Sequence, residues 1–232
     1  MAKSQQHLTL ARASAVTGFV AVLSLSVLLA TAHHALFSLA LALLAMIPFY
    51  VKYEGQEPSA EETVLMAMLA AIAAVSRVPF ASLPGAQPTS FVIIMAAVTF
   101  GPEVGFMVGS TATVVSNMFL GQGPWTPWQM FSWGMIGFTA GYLKETKLMA
   151  TKWGQAVFGF CWGFLFGWIM NIWFVLYLEP QALTGKVFVA SCIASFRHDL
   201  NHALSNAVFI ILLQPSWNKI LKRTQIKFGL FG

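Results

Sequence analysis

The stretch SFVIIMAAVTFGPEVGFMVG, Ser90 to Gly109, decides how this chain is built. Its first part, Ser90–Phe100, is almost wholly apolar. At about 1.5 Å per helical residue it falls well short of a hydrocarbon core about 30 Å thick. Gly101-Pro102 then breaks the run, and a proline at the first position of a helix sacrifices no intrahelical hydrogen bond. The pair therefore reads as a sharp turn into a second apolar segment, Pro102–Leu120. Counted as one broken helix the two segments give seven spans, and counted apart they give eight.

Outward from this stretch, further apolar segments fall at Leu10–Ala30, Ala35–Val51, Thr63–Val78, Pro127–Leu143, Gly154–Leu178 and Val187–Leu213. The positive-inside rule chooses between the counts. With eight spans and the N-terminus inside, Lys3, Arg12, Lys52, Lys144, Lys147, Lys152, Lys219, Lys222, Arg223 and Lys227 are cytoplasmic, ten of the 13 basic residues. With seven, the Lys144–Lys152 loop and the basic tail move outside and the asymmetry reverses. The expectation is eight spans with both termini cytoplasmic, in the plasma membrane of a prokaryote.

Composition supports the class. Of 232 residues, 57% are hydrophobic and 9% charged, and the mean hydropathy is +0.71. A soluble domain of this size has too little interior to hide that much apolar surface, so the chain reads as an all-α integral membrane protein. Continuous rather than alternating apolar runs argue against a β-barrel. The net charge of +5 sits at segment ends, as membrane orientation requires, rather than in a nucleic-acid-binding patch. Cys161 and Cys192 lie in apolar runs and read as packing residues. The first apolar run passes directly into a second, with no cleavage site where a signal peptide needs one.

This topology places two rigid loops outside. One is Pro79–Thr89 (PFASLPGAQPT), with three prolines; the other is GQGPWTPWQMFSWG, Gly121–Gly134, with three tryptophans and two glutamines. Proline-rich loops lose less entropy on ordering and suit a preformed binding rim; a pair of tight turns bearing an interfacial tryptophan belt is the plainer alternative. The last apolar segment carries SFRHDLNHALSN, in which His198, His202 and Asn206 share one face and Asp199 can orient His202 or pair with Arg197. Ionisable groups inside a membrane are costly and mark candidate sites. Asn117, Asn171, Trp173 and Tyr177 fall at the same level. The candidate substrate-binding set is Arg77, Gln87, Asn117, Trp125, Trp128, Gln129, Asn171, Tyr177, Arg197, His198, Asp199 and His202. A structural hydrogen-bond network is the competing explanation of the same residues.

Small residues recur every fourth position at Gly101/Gly105/Gly109, Gly137/Gly141 and Gly159/Gly163/Gly167, where they let helix backbones pack closely inside the bundle. MAMLAAIAA differs in offering two rows, Ala67/Ala71 and Ala70/Ala74, so that one can pack internally and the other can meet a partner protein. No catalytic apparatus emerges. His198-Asp199-Leu200-Asn201-His202 resembles the H-E-x-x-H helix of zinc proteases, but its Asp is one methylene short of the general base and no third ligand is evident. There is no G-x-x-x-x-G-K-[ST] for ATP, no acid–base relay across several helices, and no inverted repeat. A transporter of this kind takes its energy from elsewhere.

FGPEVGFMVG, GQGPWTPWQM, the alanine-faced helix ahead of a proline-rich loop and the polar last helix together resemble the substrate-binding S components of energy-coupling factor (ECF) transporters. The resemblance covers about Ala60 to Leu213 and implies a six-helix substrate-binding core over 60–213. Residues 1–51 are then an additional helical hairpin, and 214–232 a basic cytoplasmic tail. It implies a non-enzymatic capture subunit without a cofactor of its own. Its partners would be a membrane coupling protein and two cytosolic ATPases that use the ATP. Ala67, Ala70, Ala71 and Ala74 would form the docking face, and Pro79–Thr89 with Gly121–Trp128 would gate the substrate. The indole- and amide-rich loop resembles those of corrinoid-specific members, making cobalamin the expected substrate, with riboflavin or a queuosine precursor as alternatives. Outside this class, a membrane scaffold with no small-molecule affinity competes.

Overall fold

The computed structural model describes residues 34–178 and 184–231, in which seven α-helices and one 3-10 turn make up the regular structure. They are α1 (His34–Glu54), α2 (Ala60–Val75), α3 (Thr89–Phe100), α4 (Pro102–Leu120), α5 (Thr126–Tyr142), α6 (Lys152–Leu178) and α7 (Gly185–Phe228), with the 3-10 turn at Val78–Phe80. The expected segment Leu10–Ala30 lies outside the described residues, as do Lys3 and Arg12. On length and hydropathy alone, two stretches among the described residues are long and apolar enough to cross a membrane, Ala60–Phe80 and Lys152–Tyr177.

The short segment at the centre of the sequence argument is the core of the bundle. Every residue of α3 except Val98 is buried, as befits a helix that is apolar all round. Gly101 follows it with φ near 108°, a conformation that favours glycine, and Pro102 opens α4 directly. The two segments are therefore separate helices, folded back so that Ala97 lies against Gly105.

The remaining register is set by close contacts. α4 and α5 cross backbone to backbone: a Cβ on Gly137 would lie 2.1 Å from the Gly105 carbonyl oxygen, and one on Gly141 would lie 2.4 Å from Pro102 N. α6 and α7 run antiparallel, with Gly163 against Ala203 and Gly159 beside Ile210 and Asn206. The glycine rows thus serve packing within the bundle. α1 rests on α4 and α5 through Phe49, stacked on Phe106 with ring centroids 4.1 Å apart, and Tyr50, whose hydroxyl donates to Ser110 Oγ. At the same end Lys52 pairs with the buried Glu103.

Two of the boundaries that differ from expectation are explained by particular contacts. α2 begins at Ala60 rather than Thr63, because Ser59 and Glu62 form a capping box: the Ser59 hydroxyl accepts from Glu62 N while the Glu62 carboxylate accepts from Ser59 N. α7 does not stop near Leu213 but continues through Pro215 to Phe228, a 44-residue helix. Trp217 packs edge-on to Phe91, and Gln225 donates to the Thr99 carbonyl. After it, Leu230 is buried and Phe231 meets Phe100. The segment expected as a basic cytoplasmic tail thus packs against α3 through Trp217, Gln225 and Phe231, and Phe231 N donates to the Glu62 carboxylate of α2.

Candidate functional site

At the bundle end opposite the Lys52–Glu103 pair, a polar network draws on five segments. Its centre is Arg77, just beyond α2, where Ser76 ends the helix by donating back to the Ala73 carbonyl. Arg77 Nε donates to Gln87 Oε1 (3.0 Å), and Nη1 donates to Ser116 Oγ and to Asn117 Oδ1 (3.0 Å). Asn117 passes the network on, its amide donating to Gln129 Oε1 (2.8 Å) and to Thr126 Oγ1 (3.1 Å). The Thr126 hydroxyl donates to Gln122 Oε1 and accepts from Gly123 N, which fixes the entry into α5. The proline-rich loop is held from the other side, since Ser205 of α7 accepts from Gln87 N and donates to the Gln87 carbonyl. Gly85, at φ near 79°, lies so close to α7 that a Cβ there would meet the His198 carbonyl oxygen at 2.4 Å.

Under this layer the guanidinium of Arg77 sits 4.6 Å from the centre of the Trp133 ring, a geometry attractive through the ring quadrupole. Trp133 Nε1 donates to Ser90 Oγ (3.2 Å), and Ser90 is placed to donate in turn to His202 Nε2 at 2.9 Å. His202 is 1% exposed and packs edge-on to Phe166. A second cluster adjoins it on α6 and α7. Asn171 donates to Ser195 Oγ (2.8 Å), and Ser195 donates to Asp199 Oδ2 (2.8 Å). Asp199 Oδ1 lies 3.7 Å from His198 Nδ1. Gly167 leaves room for this carboxylate, since a Cβ there would fall 2.0 Å from Oδ1.

The sequence candidates divide accordingly. Arg77, Gln87, Asn117 and Gln129 are joined in one network, and Asn171, His198 and Asp199 in the neighbouring one. His202 belongs to the core beneath and bonds Ser90. Trp125 is partly buried near the surface, edge-on to Trp173, which stacks on the exposed Tyr177 at 5.6 Å. Trp128 points the other way: it is 2% exposed and packs with Ala42 and Leu176. Arg197 is exposed on the outer face of α7. On α2, Ala70 and Ala74 are buried at 1% and 0%, whereas Ala67 and Ala71 face outward among exposed Val64, Met68 and Val75. Sequence reasoning missed Ser90, Ser116, Thr126, Trp133, Ser195 and Ser205, small hydroxyls and one indole that become partners only once helices are brought together. Among the described residues, no three His, Cys, Asp or Glu side chains are grouped to hold a metal ion.

A family model described as "ECF transporter, substrate-specific component" matches residues 62–217, more than half of the chain. Among curated proteins, the chain is 28% identical to a UPF0397 protein of Aliivibrio fischeri over 152 residues, covering 58% of this chain and 80% of that protein. It is 33% identical to a UPF0397 protein of Vibrio atlanticus over 88 residues, covering 36% of this chain and about half of that protein, 48%. No solved structure matches.

Proposed function

The chain belongs to the substrate-specific component family of ECF transporters, and from that premise we propose that it is a multi-pass membrane subunit that captures a water-soluble vitamin from outside the cell. The network end, with its two proline-bearing loops, faces outward, and the Lys52 end with both termini is cytoplasmic. The observation that carries this reading is the Arg77 network: loops and helix ends far apart in sequence bring amides, hydroxyls and indoles together at one end of the bundle. As a family member the chain captures substrate without catalysis, and a membrane coupling protein and two ATPases supply the energy.

Cobalamin is the substrate we assign. Amide- and indole-rich surroundings at Asn117, Gln129, Trp125 and Trp173 suit a large organic molecule bearing amides and rings. Riboflavin and queuosine precursors are the alternatives. Calorimetric titration of cobalamin into the detergent-purified chain, with riboflavin as control, is expected to give nanomolar binding of cobalamin alone. Binding of riboflavin in its place would remove the corrinoid assignment, and binding of neither would favour a scaffold.

Within this reading Trp125 is a wall of the pocket and Trp128 a piece of the core. Trp125→Ala should leave the melting temperature nearly unchanged and weaken capture roughly three- to tenfold, the scale of one aromatic contact of about 0.5–1.5 kcal/mol. Trp128→Ala should lower stability by about 3–5 kcal/mol instead. Thermal melts and titrations of the two variants separate the roles, and equal capture by Trp125→Ala and the unaltered chain would remove the loop from the site. The partner-docking surface narrows to Ala67 and Ala71, the row that faces away from the bundle.

A further inference from the structure

We infer that the captured molecule carries an oxyanion, a carboxylate or phosphate ester beside a planar ring system, and that Arg77 is the group that grips it. This rests on the capture reading and names the chemistry of the same site.

Arg77 is a partly buried cation whose partners at this site are all neutral. Its hydrogen-bond acceptors are the amide oxygens of Gln87 and Asn117 and the hydroxyl of Ser116, and beneath it lies the Trp133 ring. Among the described residues no carboxylate comes within ion-pairing distance of it; the pairs formed are Lys52–Glu103 and His198–Asp199. Removing a guanidinium from water without a countercharge is costly, and proteins ordinarily match it with a carboxylate or phosphate. The carboxylate of the adjoining cluster, Asp199, is held by Ser195, and Glu103 lies at the opposite end of the bundle with Lys52.

The orientation of the fork matters as much as its charge. Nε and Nη1 are committed to the protein, which locks the plane of the group. Nη2 finds no acceptor among the described residues. A guanidinium fixed on one edge and open on the other is preorganised for an oxyanion, which accepts from it in the charge-assisted geometry that arginine favours. The network then leads from Asn117 through Thr126 to Trp125, whose indole meets Trp173 edge-on at 6.1 Å. The partly exposed Trp125 ring provides the surface for a planar group carried beside the anion. The phosphodiester of cobalamin satisfies this requirement, whereas uncharged riboflavin does not.

The test uses small probes of that chemistry on the full-length chain in detergent. Melting temperatures are measured for the wild type, Arg77→Gln and Arg77→Lys in inorganic phosphate, benzoate or benzamide, with chloride holding ionic strength constant. The wild type is expected to gain about 3–5 °C at a tenfold excess of phosphate or benzoate over its dissociation constant. Benzamide, the neutral isostere of benzoate, should give less than half that gain. Arg77→Gln should show no anion-specific gain, and Arg77→Lys, which keeps the charge but loses the fork, should show less than half of it. If Arg77→Gln does not fold, the wild-type and lysine arms still decide. A wild type that responds alike to benzoate and benzamide and no more to phosphate than to chloride overturns the inference, as does an equal anion response in Arg77→Gln or Arg77→Lys. Failure of the capture reading looks different: the anion response persists, while the chain reconstituted with a coupling module moves no solute into vesicles.

Discussion

Gly137→Leu should leave little folded protein. α4 and α5 touch at Gly105 and Gly137 with no side chain between them, and a Cβ on Gly137 would lie 2.1 Å from the Gly105 carbonyl oxygen. That obstacle is backbone and cannot swing aside as a flexible side chain would. The helices must separate, and separation also disturbs the Gly109–Trp133 crossing one turn further along. Overpacking in a close-packed interior commonly costs about 1–3 kcal/mol, and single substitutions that force backbone apart reach about 4–5 kcal/mol. For a chain of this size that is a fall of roughly 10–20 °C in melting temperature. Gly185→Leu is the control, since nothing lies within 4 Å of a Cβ there, and it should melt within about 2 °C of the wild type. Size-exclusion profiles and thermal melts of the two variants read the difference, and equal stability would mean that the two helices do not cross at Gly105 and Gly137.

The second large effect is expected on transport rather than on folding. Ala71 lies on the outward face of α2, and Ala71→Trp adds a large ring without disturbing the interior. If a coupling protein packs closely on this row, the ring holds the two helices apart, at a cost of about 1–3 kcal/mol or roughly ten- to hundredfold in docking. Uptake by the reconstituted complex should fall by at least tenfold, while substrate capture by the solitary chain stays within twofold. Ala67→Trp should behave in the same way. Ala74→Trp should differ from both, because Ala74 is buried and its replacement damages folding and capture together. Normal uptake by Ala67→Trp and Ala71→Trp would place the docking surface elsewhere.

Hydropathy and punctuation made much of this arrangement legible. Gly101-Pro102 marked the break between α3 and α4 to the residue, because a positive φ and a missing N–H are local requirements that local chemistry reveals. The two alanine rows of α2 were also visible, but a helical period says only that they differ in direction. Which row faces inward depends on α3 and α4, and the structure turns Ala70 and Ala74 toward them. The start of α2 was misjudged by three residues although its Ser59–Glu62 capping box stands in the sequence. The end of α7 was misjudged by more, because Pro215 and the basic residues after it look like the close of a segment. In the folded chain Trp217 and Gln225 find partners on α3, and those tertiary contacts carry the helix onward.

The polar networks of the candidate site were legible in the same uneven way. Large or charged residues in apolar surroundings, such as Arg77, Asn117 and Asp199, stand out because burying them demands an explanation. Trp128 stood out equally and belongs to the core, since an indole satisfies packing as readily as binding. Ser90, Ser116 and Ser205 gave no signal, for a serine in a membrane helix most often bonds its own backbone. Their significance lies in partners distant along the chain, such as the 112 positions that separate Ser90 from His202.

One consequence follows from the length of α7. At about 1.5 Å per residue, its 44 residues form a rod about 66 Å long, more than twice the thickness of a hydrocarbon core. His202 and Ser205 ride on it near the Arg77 network, while Trp217 and Gln225 ride on it at the far end. Such a rod is a lever: a swing of about 10° around its midpoint carries each tip through roughly 6 Å. Displacement of the part of α7 that α3 holds through Trp217 and Gln225 therefore reaches the loop that Ser205 grips along one continuous helix, with no need of a relay of side chains. The weakest point along that arm is Pro215, which removes one rung of the helical ladder and fixes where the lever would bend under load.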